Sequence, residues 1–343
     1  MKFISKNLKL LTVFLLVLGI SACSDDDDNN IPTSTTVVDV AVTNGFTSLA
    51  EALTRANLVT TLQGVGPFTV FAPDNAAFQA LLNSNPAWNT IDDIDIDLLT
   101  TVLKNHVVVG STIPSSAISD VGVYTNVDAT GPENNNLSLY ARNNSGTVEI
   151  NGGDGTTTAP RNGADVTFAD QNADNGVVHV INKVLLPPTI IDMALANPEF
   201  GSLVASLTTD GQPDFVSTLS TANGTSPAPF TVFAPTNAAF QALLDSNMMW
   251  NSPADIDTAL LTAVLEHHVL AAQNVQSVDL VQNGTTSPVT LQGQTINIIL
   301  PGTNGNIADV VDGAGNDAGI IAVDVQTSNG VIHVVNAVLL PAS

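Results

Sequence analysis

Two stretches of this chain spell nearly the same words. Phe68–Phe78 reads FTVFAPDNAAF, and Phe230–Phe240 reads FTVFAPTNAAF. The likeness runs from Phe68–Val109 to Phe230–Ala271 at a constant offset of 162, with 28 of 42 positions identical. A second echo sets Asn175–Pro187 (NGVVHVINKVLLP) against Asn329–Pro341 (NGVIHVVNAVLLP) at an offset of 154, so an indel of 8 residues separates the copies. A duplication this long means two copies of one domain, each large enough to bury its own core. The period is far beyond the roughly 20–50 residues of a solenoid unit. Residues present in both copies are usually those the fold needs, so the duplication also helps to separate fold from function.

The amino terminus reads as processed chain. Lys2, Lys6 and Lys9 form a positive region, and Leu10–Ile20 is an apolar run of signal-peptide length, too short to span a bilayer as a mature helix. Ile20-Ser21-Ala22-Cys23 resembles a bacterial lipobox, which makes residues 1–22 the signal peptide and Cys23 the acylated first residue of the mature chain. Its partner there is outer-membrane lipid, held by acyl chains that each bury their methylenes at about 0.8 kcal/mol apiece. Cys23 is the single cysteine, so no intrachain disulfide and no cysteine-based metal site can form. The following Ser24-Asp25-Asp26-Asp27-Asp28 resembles the acidic signal that sends Bacteroidetes-type lipoproteins to the outer face of the outer membrane, and residues 23–35 form an acidic, polar tether. Beyond the leader, 5 basic residues remain against 32 acidic ones, a balance that repels nucleic acid and anionic membrane.

Each copy shows helix signals first and strand signals after. Phe46, Leu49, Ala50 and Leu53 keep helical spacing within Phe46–Leu62. FTVFA alternates as a strand and is broken by Pro73 in one copy and Pro235 in the other. Asp74 and Thr236 are N-caps for the helix that follows, and Asp95 and Asp257 sit where another begins, its apolar face ending in His106. Short β-branched runs then follow, separated by Gly, Asn and Asp: Val121–Val127, Leu137–Ala141, Thr147–Asn151, Val166–Ala169 and Val177–Leu186, with Val289–Leu291, Thr295–Leu300, Ile320–Val325 and Val331–Leu340 in the second copy. Helices first and antiparallel strands after predict an α+β domain with a β-sandwich or wedge.

With FTVFAP[D/T]NAAF and NGV[V/I]HV[I/V]N.VLLP both present twice and in order, the chain resembles the fasciclin (FAS1) domain family. The resemblance implies two tandem FAS1 domains, residues 36–187 and 189–341. Each would be a β-sandwich or wedge with several helices placed mainly in its N-terminal half. It also implies extracellular adhesion, and it marks His106, His179, His268, His333, Pro73, Pro235, Asn75 and Asn237 as motif residues with a structural role. Many members carry Tyr directly before the middle His. Here that position holds Asn105 in one copy and His267 in the other, which weakens any transfer of an animal-type adhesion motif.

Catalytic signatures are missing: the chain has no G-x-S-x-G elbow, H-E-x-x-H helix or phosphate loop, and no cofactor is implied. His179 shares a strand face with Val177 and Ile181, the setting of a core hydrogen-bonding residue. Two acidic groups, Asp92-Asp93 with Asp95 and Asp97, and Asp309, Asp312, Asn316 and Asp317, read as solvated turns or helix caps, with weak calcium binding as the alternative. Asp257-Thr258-Ala259 resembles an O-glycosylation acceptor of some Bacteroidetes. The reading that results is a non-enzymatic, lipid-anchored surface protein mediating adhesion, with an extracellular protein or polysaccharide ligand and no nucleic acid. The binding surface is expected in loops that differ between copies: Gly131–Asn136, Arg142–Pro160 and Asp210–Pro229. The alternative is a carbohydrate-binding accessory lipoprotein of an outer-membrane uptake system; it predicts exposed aromatic platforms, for which only Trp88, Trp250, Tyr124 and Tyr140 are available beyond Phe, and the two Trp are duplicated and so structural, which disfavours it.

Overall fold

A computed structural model of the chain describes residues 34–153 and 162–342. The leader, Cys23, the acidic run and residues 154–161 of the second variable loop lie outside the described residues.

In the first repeat the chain forms α1 (Val37–Thr43), α2 (Thr47–Arg55) and α3 (Val59–Leu62), then β1 (Phe68–Pro73), α4 (Asn75–Asn83) and α5 (Ile96–Lys104). Six strands follow: β2 (Val107–Val109), β3 (Val123–Thr130), β4 (Asn136–Asn144), β5 (Thr147–Ile150), β6 (Ala164–Ala173) and β7 (Gly176–Ile181). The second repeat repeats the plan with α6 (Ile190–Ala196), α7 (Gly201–Leu207), α8 (Phe215–Leu219), β8 (Phe230–Pro235), α9 (Asn237–Asp245) and α10 (Thr258–His267). Its strands are β9 (Val269–Ala271), β10 (Gly284–Thr286), β11 (Asn297–Leu300), β12 (Ala308–Val311), β13 (Asp317–Thr327) and β14 (Gly330–Val335).

The helices start where capping chemistry places them. Thr36 and Asp39 form a capping box at α1, repeated by Thr189 and Asp192 at α6. Asp74 accepts the N–H of Ala77, and Asp95 those of Asp97 and Leu98. The long helix expected over Phe46–Leu62 is two helices, because Asn57 adopts φ 56 and turns the chain between α2 and α3.

Each repeat is organised by one curled seven-stranded sheet, ordered β2-β1-β7-β6-β5-β4-β3 in the first and β10-β11-β12-β13-β14-β8-β9 in the second. In the first repeat β3 lies against β2, so the sheet curls toward closure. The strands are not all antiparallel. The FTVFAP strand pairs parallel to the last strand, β1 with β7 from Phe68↔Gly176 to Pro73↔Ile181, and β8 with β14 from Phe230↔Gly330 to Val335↔Pro235. Sequence alternation cannot show this, since a parallel partner lies about a hundred residues away. A Cβ on Gly176 or Gly330 would stand 2.2 Å from the carbonyl oxygen of Phe68 or Phe230, so the close approach needs glycine.

All six residues of β1 and of β8 are buried, and their alternation sorts them between two cores. Phe68, Val70 and Ala72 join α1, α2, α4 and α5, whereas Phe71 enters the curl of the sheet with Val127, Leu137, Leu139 and Ile150. The second repeat does the same with Phe230, Val232 and Ala234 on the helical side and Phe233 inside.

The repeats meet along an extensive junction. Tyr140 of β4 is 1% exposed and belongs to the helical core of the second repeat, with Tyr124 packed beside it at 4.9 Å between ring centroids. Asn197 donates to the Tyr124 hydroxyl at 3.0 Å, the N–H of Gln326 donates to Ser138 Oγ at 3.0 Å, and Ser328 N–H donates to the Pro188 carbonyl at 2.7 Å. With Tyr140 buried and Tyr124 packed beside it, neither ring is an exposed platform for a sugar, in line with the scarcity of aromatic residues that disfavours that reading. The Gly131–Asn136 loop is not free either, because a Cβ on Gly131 would meet Thr327 O at 2.6 Å.

Candidate functional site

The motif histidines are staples between distant segments. The N–H of Leu185 donates to His106 Nε2 at 2.8 Å, so Nε2 is the unprotonated nitrogen and Nδ1–H donates to the Val102 carbonyl at 2.6 Å. His268 repeats this with Leu339 N–H at 2.9 Å and Val264 O at 2.7 Å. His179 takes the opposite tautomer. Its Nδ1 accepts from Asp170 N–H at 3.2 Å and its Nε2–H donates to Ile113 O at 2.9 Å. His333 matches it, with Asp324 N–H at 3.4 Å and Val275 O at 2.9 Å. The first pair fastens the end of a helix to the segment after the last strand. The second pair fastens the last strand to the loop before the Ser115–Ala117 or Ser277–Asp279 turn. Burial pushes His106 and His268 down to about 4, and it lowers His179 and His333 as well.

Both ring nitrogens of each are therefore occupied by backbone. The nearby serines are not nucleophiles either: Ser115 donates its hydroxyl to Asp170, and Ser277 to Asp324, rather than to an imidazole. A serine hydrogen-bonded to a carboxylate while the histidine faces main chain is the wrong order for general-base activation. We expect His333→Ala to strand the Val275 carbonyl and the Asp324 N–H, costing about 2–4 kcal/mol. A thermal melt should show a drop of several degrees, and an unchanged melting temperature would dismiss the staple.

The remaining motif residues are also joints. Asn75 Oδ1 accepts the N–H of Ser48 at 3.0 Å while its amide donates to Gly45 O at 3.0 Å, fixing α2 against α4. Asn237 does the same to Ser202 N–H at 2.8 Å and Pro198 O at 2.9 Å. Pro73 and Pro235 close β1 and β8, and the N–H of the next residue donates to Ile181 O or Val335 O at 3.2 Å. Sequence reasoning missed Asn175 and Asn329. Asn175 accepts the N–H of Val37 at 2.9 Å and donates to Leu62 O and Gly64 O at 2.8 and 2.9 Å; Asn329 repeats the pattern with Ile190, Leu219 and Thr221. The duplicated NGV motif contained the signal.

The position before the middle histidine is buried in both copies. Asn105 donates to Leu185 O at 3.1 Å, while His267 faces Thr290 Oγ1 at 3.3 Å and accepts Gly313 N–H at 3.2 Å.

The acidic groups are engaged with main chain and amides. Backbone N–H groups of Asn89 and Thr90 hold the Asp93 carboxylate below its usual range, and those of Asn251 and Ser252 do so for Asp255. Asp309 lies inside β12, not in a bending loop, and accepts from Thr303 N–H at 2.7 Å and Asn306 at 2.8 Å. Asp312 takes Asn316 N–H and Leu340 N–H, both at 2.8 Å. Among the described residues no group of three or more His, Cys, Asp or Glu is placed to hold a metal ion. Thr258 is exposed on the first turn of α10.

Two α+β modules, each a curled seven-stranded sheet with one parallel pair beside its edge strand and helices on one side, define the class of this protein. A protein-family model for the fasciclin domain matches residues 44–187 and again 199–341, and the chain belongs to the fasciclin domain family. Periostin from Homo sapiens is 28% identical over 308 residues, which cover 87% of this chain and 31% of periostin. The cell surface glycolipoprotein MPB83 of Mycobacterium bovis is 34% identical over 146 residues, covering 42% of this chain and 57% of that protein. This chain thus spans about a third of periostin and little more than half of MPB83. A solved FAS1 domain pair from the insect cell adhesion molecule Fasciclin I shares the fold at 20% identity with a TM-score of 0.50, covering 88% of this chain and 95% of that one.

Proposed function

We propose that this is a lipid-anchored, surface-displayed fasciclin-domain protein that mediates adhesion without catalysing a reaction. The observation that carries the reading is the lipobox at Ile20–Cys23, followed by an acidic run, a short distance before the folded body begins at Thr35. A fasciclin-domain relative that bears the name cell surface glycolipoprotein supports it. Among the described residues no helix is long and apolar enough to cross a membrane, so acyl chains on Cys23 would supply the attachment. The histidines and serines that could have served catalysis are committed to backbone and to carboxylates. Two domains on one tether raise avidity when both engage a surface together.

Growth with labelled palmitate should mark the mature protein, and Cys23→Ser should remove the label. Proteinase K on intact cells should then digest the labelled form. Proteinase K is preferred to trypsin because only five Lys or Arg follow the leader and none follows Lys183. An unlabelled wild-type chain, or one protected on intact cells, would defeat the proposal.

A further inference from the structure

The turn between α9 and α10 carries two adjacent thioethers in open solvent. Met248 is wholly exposed and Met249 is 78% exposed, whereas Met193 in α6 is buried. Met248 is the most exposed large apolar side chain among the described residues. Neither side chain of the pair joins the helical core beneath the turn, so their bulk does nothing for packing.

The first repeat shows that the turn does not require methionine. The same two positions hold Pro86 and Ala87 there, both exposed. The same hydrogen bonds frame them. Asn247 Oδ1 accepts the N–H of Met249 at 3.0 Å and its carbonyl accepts that of Trp250 at 2.9 Å; Asn85 does both for Ala87 and Trp88 at the same distances. The Asp255 carboxylate accepts the N–H groups of Asn251 and Ser252 at 2.8 and 2.9 Å, as Asp93 does those of Asn89 and Thr90. The backbone of the turn is thus fixed by groups other than the two side chains at its tip. Those side chains can change chemically at no cost to the fold.

A thioether in water is open to two-electron oxidation. With hydrogen peroxide, the sulfur lone pair attacks one peroxide oxygen, and the O–O bond breaks as the S–O bond forms. The hydroxide that leaves takes the proton from the sulfur-bound oxygen and becomes water. Sulfur is oxidised by two electrons and the peroxide is reduced. In a core, the new S–O dipole would be buried without a partner. At the tip of this turn water solvates it at once. Beyond residue 22 the chain holds only two other sulfur atoms, in Cys23 and in buried Met193.

We propose that Met248–Met249 is a reversible oxidation site, a sink that takes one oxygen atom per thioether from peroxides while the fold stays intact. Methionine sulfoxide reductases restore it, their thiols passing to disulfide as the oxygen leaves as water. The site belongs to the second repeat alone. It rests on neither the lipid anchor nor the adhesive reading.

The test uses the soluble chain from Ser24 onward, treated with millimolar hydrogen peroxide, cleaved at its aspartates and read by mass spectrometry. Met248 and Met249 should gain oxygen at least about tenfold faster than Met193. The chain oxidised at both should keep its melting temperature. MsrA and MsrB together should return both residues to methionine, each enzyme taking one sulfoxide epimer. The double variant Met248→Pro, Met249→Ala, which installs the residues of the first repeat, should fold as the parent does and lose the fast phase of peroxide consumption. Oxidation of Met193 at an equal rate, a lower melting temperature once the pair is oxidised, sulfoxides that the reductases leave in place, or a fast phase that survives in the double variant would each overturn the proposal.

Discussion

Acidifying the protein from pH 6.5 to pH 4 should remove about 3 kcal/mol of stability for each of His106 and His268. Both are fully buried, and both use a bare ring nitrogen to accept a backbone N–H. Their folded pKa, about 4, lies below the ordinary histidine value of 6.5 because burial disfavours the charged ring. Between those values the unfolded chain binds protons that the folded chain refuses. The stabilisation is complete above about pH 6.5 and is lost as the pH falls through the window. His179, His267 and His333 shift in the same direction and add to the slope. Repulsion among the 32 acidic residues relaxes only when carboxylates themselves take up protons, near the bottom of this range. The interval from pH 6.5 to 5 therefore isolates the histidines. Urea titrations at half-unit steps will read the slope. A stability that stays flat down to pH 5 would show that the imidazoles are not held neutral by burial.

Tyr140→Ala is expected to cost about 3–5 kcal/mol and to uncouple the two repeats. The side chain comes from β4 of the first repeat but fills space in the helical core of the second, and its hydroxyl donates to Val121 O at 3.0 Å. Truncation leaves a cavity where the repeats join, and it removes the ring against which Tyr124 packs. The wild-type chain should melt in one transition and the variant in two. Tyr140→Phe keeps the ring and should lose only about 1 kcal/mol with the hydrogen bond. If Tyr140→Ala melts as the parent does, the junction contributes nothing to folding.

Much of the fold could be read from local signals. The caps at Asp74, Thr236, Asp95 and Asp257 are where the helices begin, and FTVFAP is a strand in both copies. The duplicated histidines sit in the core, as an imidazole among β-branched neighbours suggests. What was not legible is long-range. The parallel pairing of the first and last strands joins residues about a hundred positions apart, which no periodicity records. Strand β12 was hidden because Ala308–Val311 holds an aspartate and is followed by a glycine-rich turn, so the segment reads as loop. Val289–Leu291 has strand composition but makes only an isolated bridge between Val289 and Thr295. The burial of Tyr140 between the repeats left no local signal; the hydroxyl of Tyr140 donates to Val121 O, and that of Tyr124 accepts from Asn197.

The junction carries an implication for the ancestry and redesign of the molecule. Its two tyrosines exist only in the leading copy, whereas the Asn197 that meets Tyr124 has a counterpart, Asn44, at the end of the first helix. The halves are thus no longer spare parts for one another. A shuffled gene that reversed their order, or doubled either half, would place mismatched faces side by side and leave aromatic rings stranded in water.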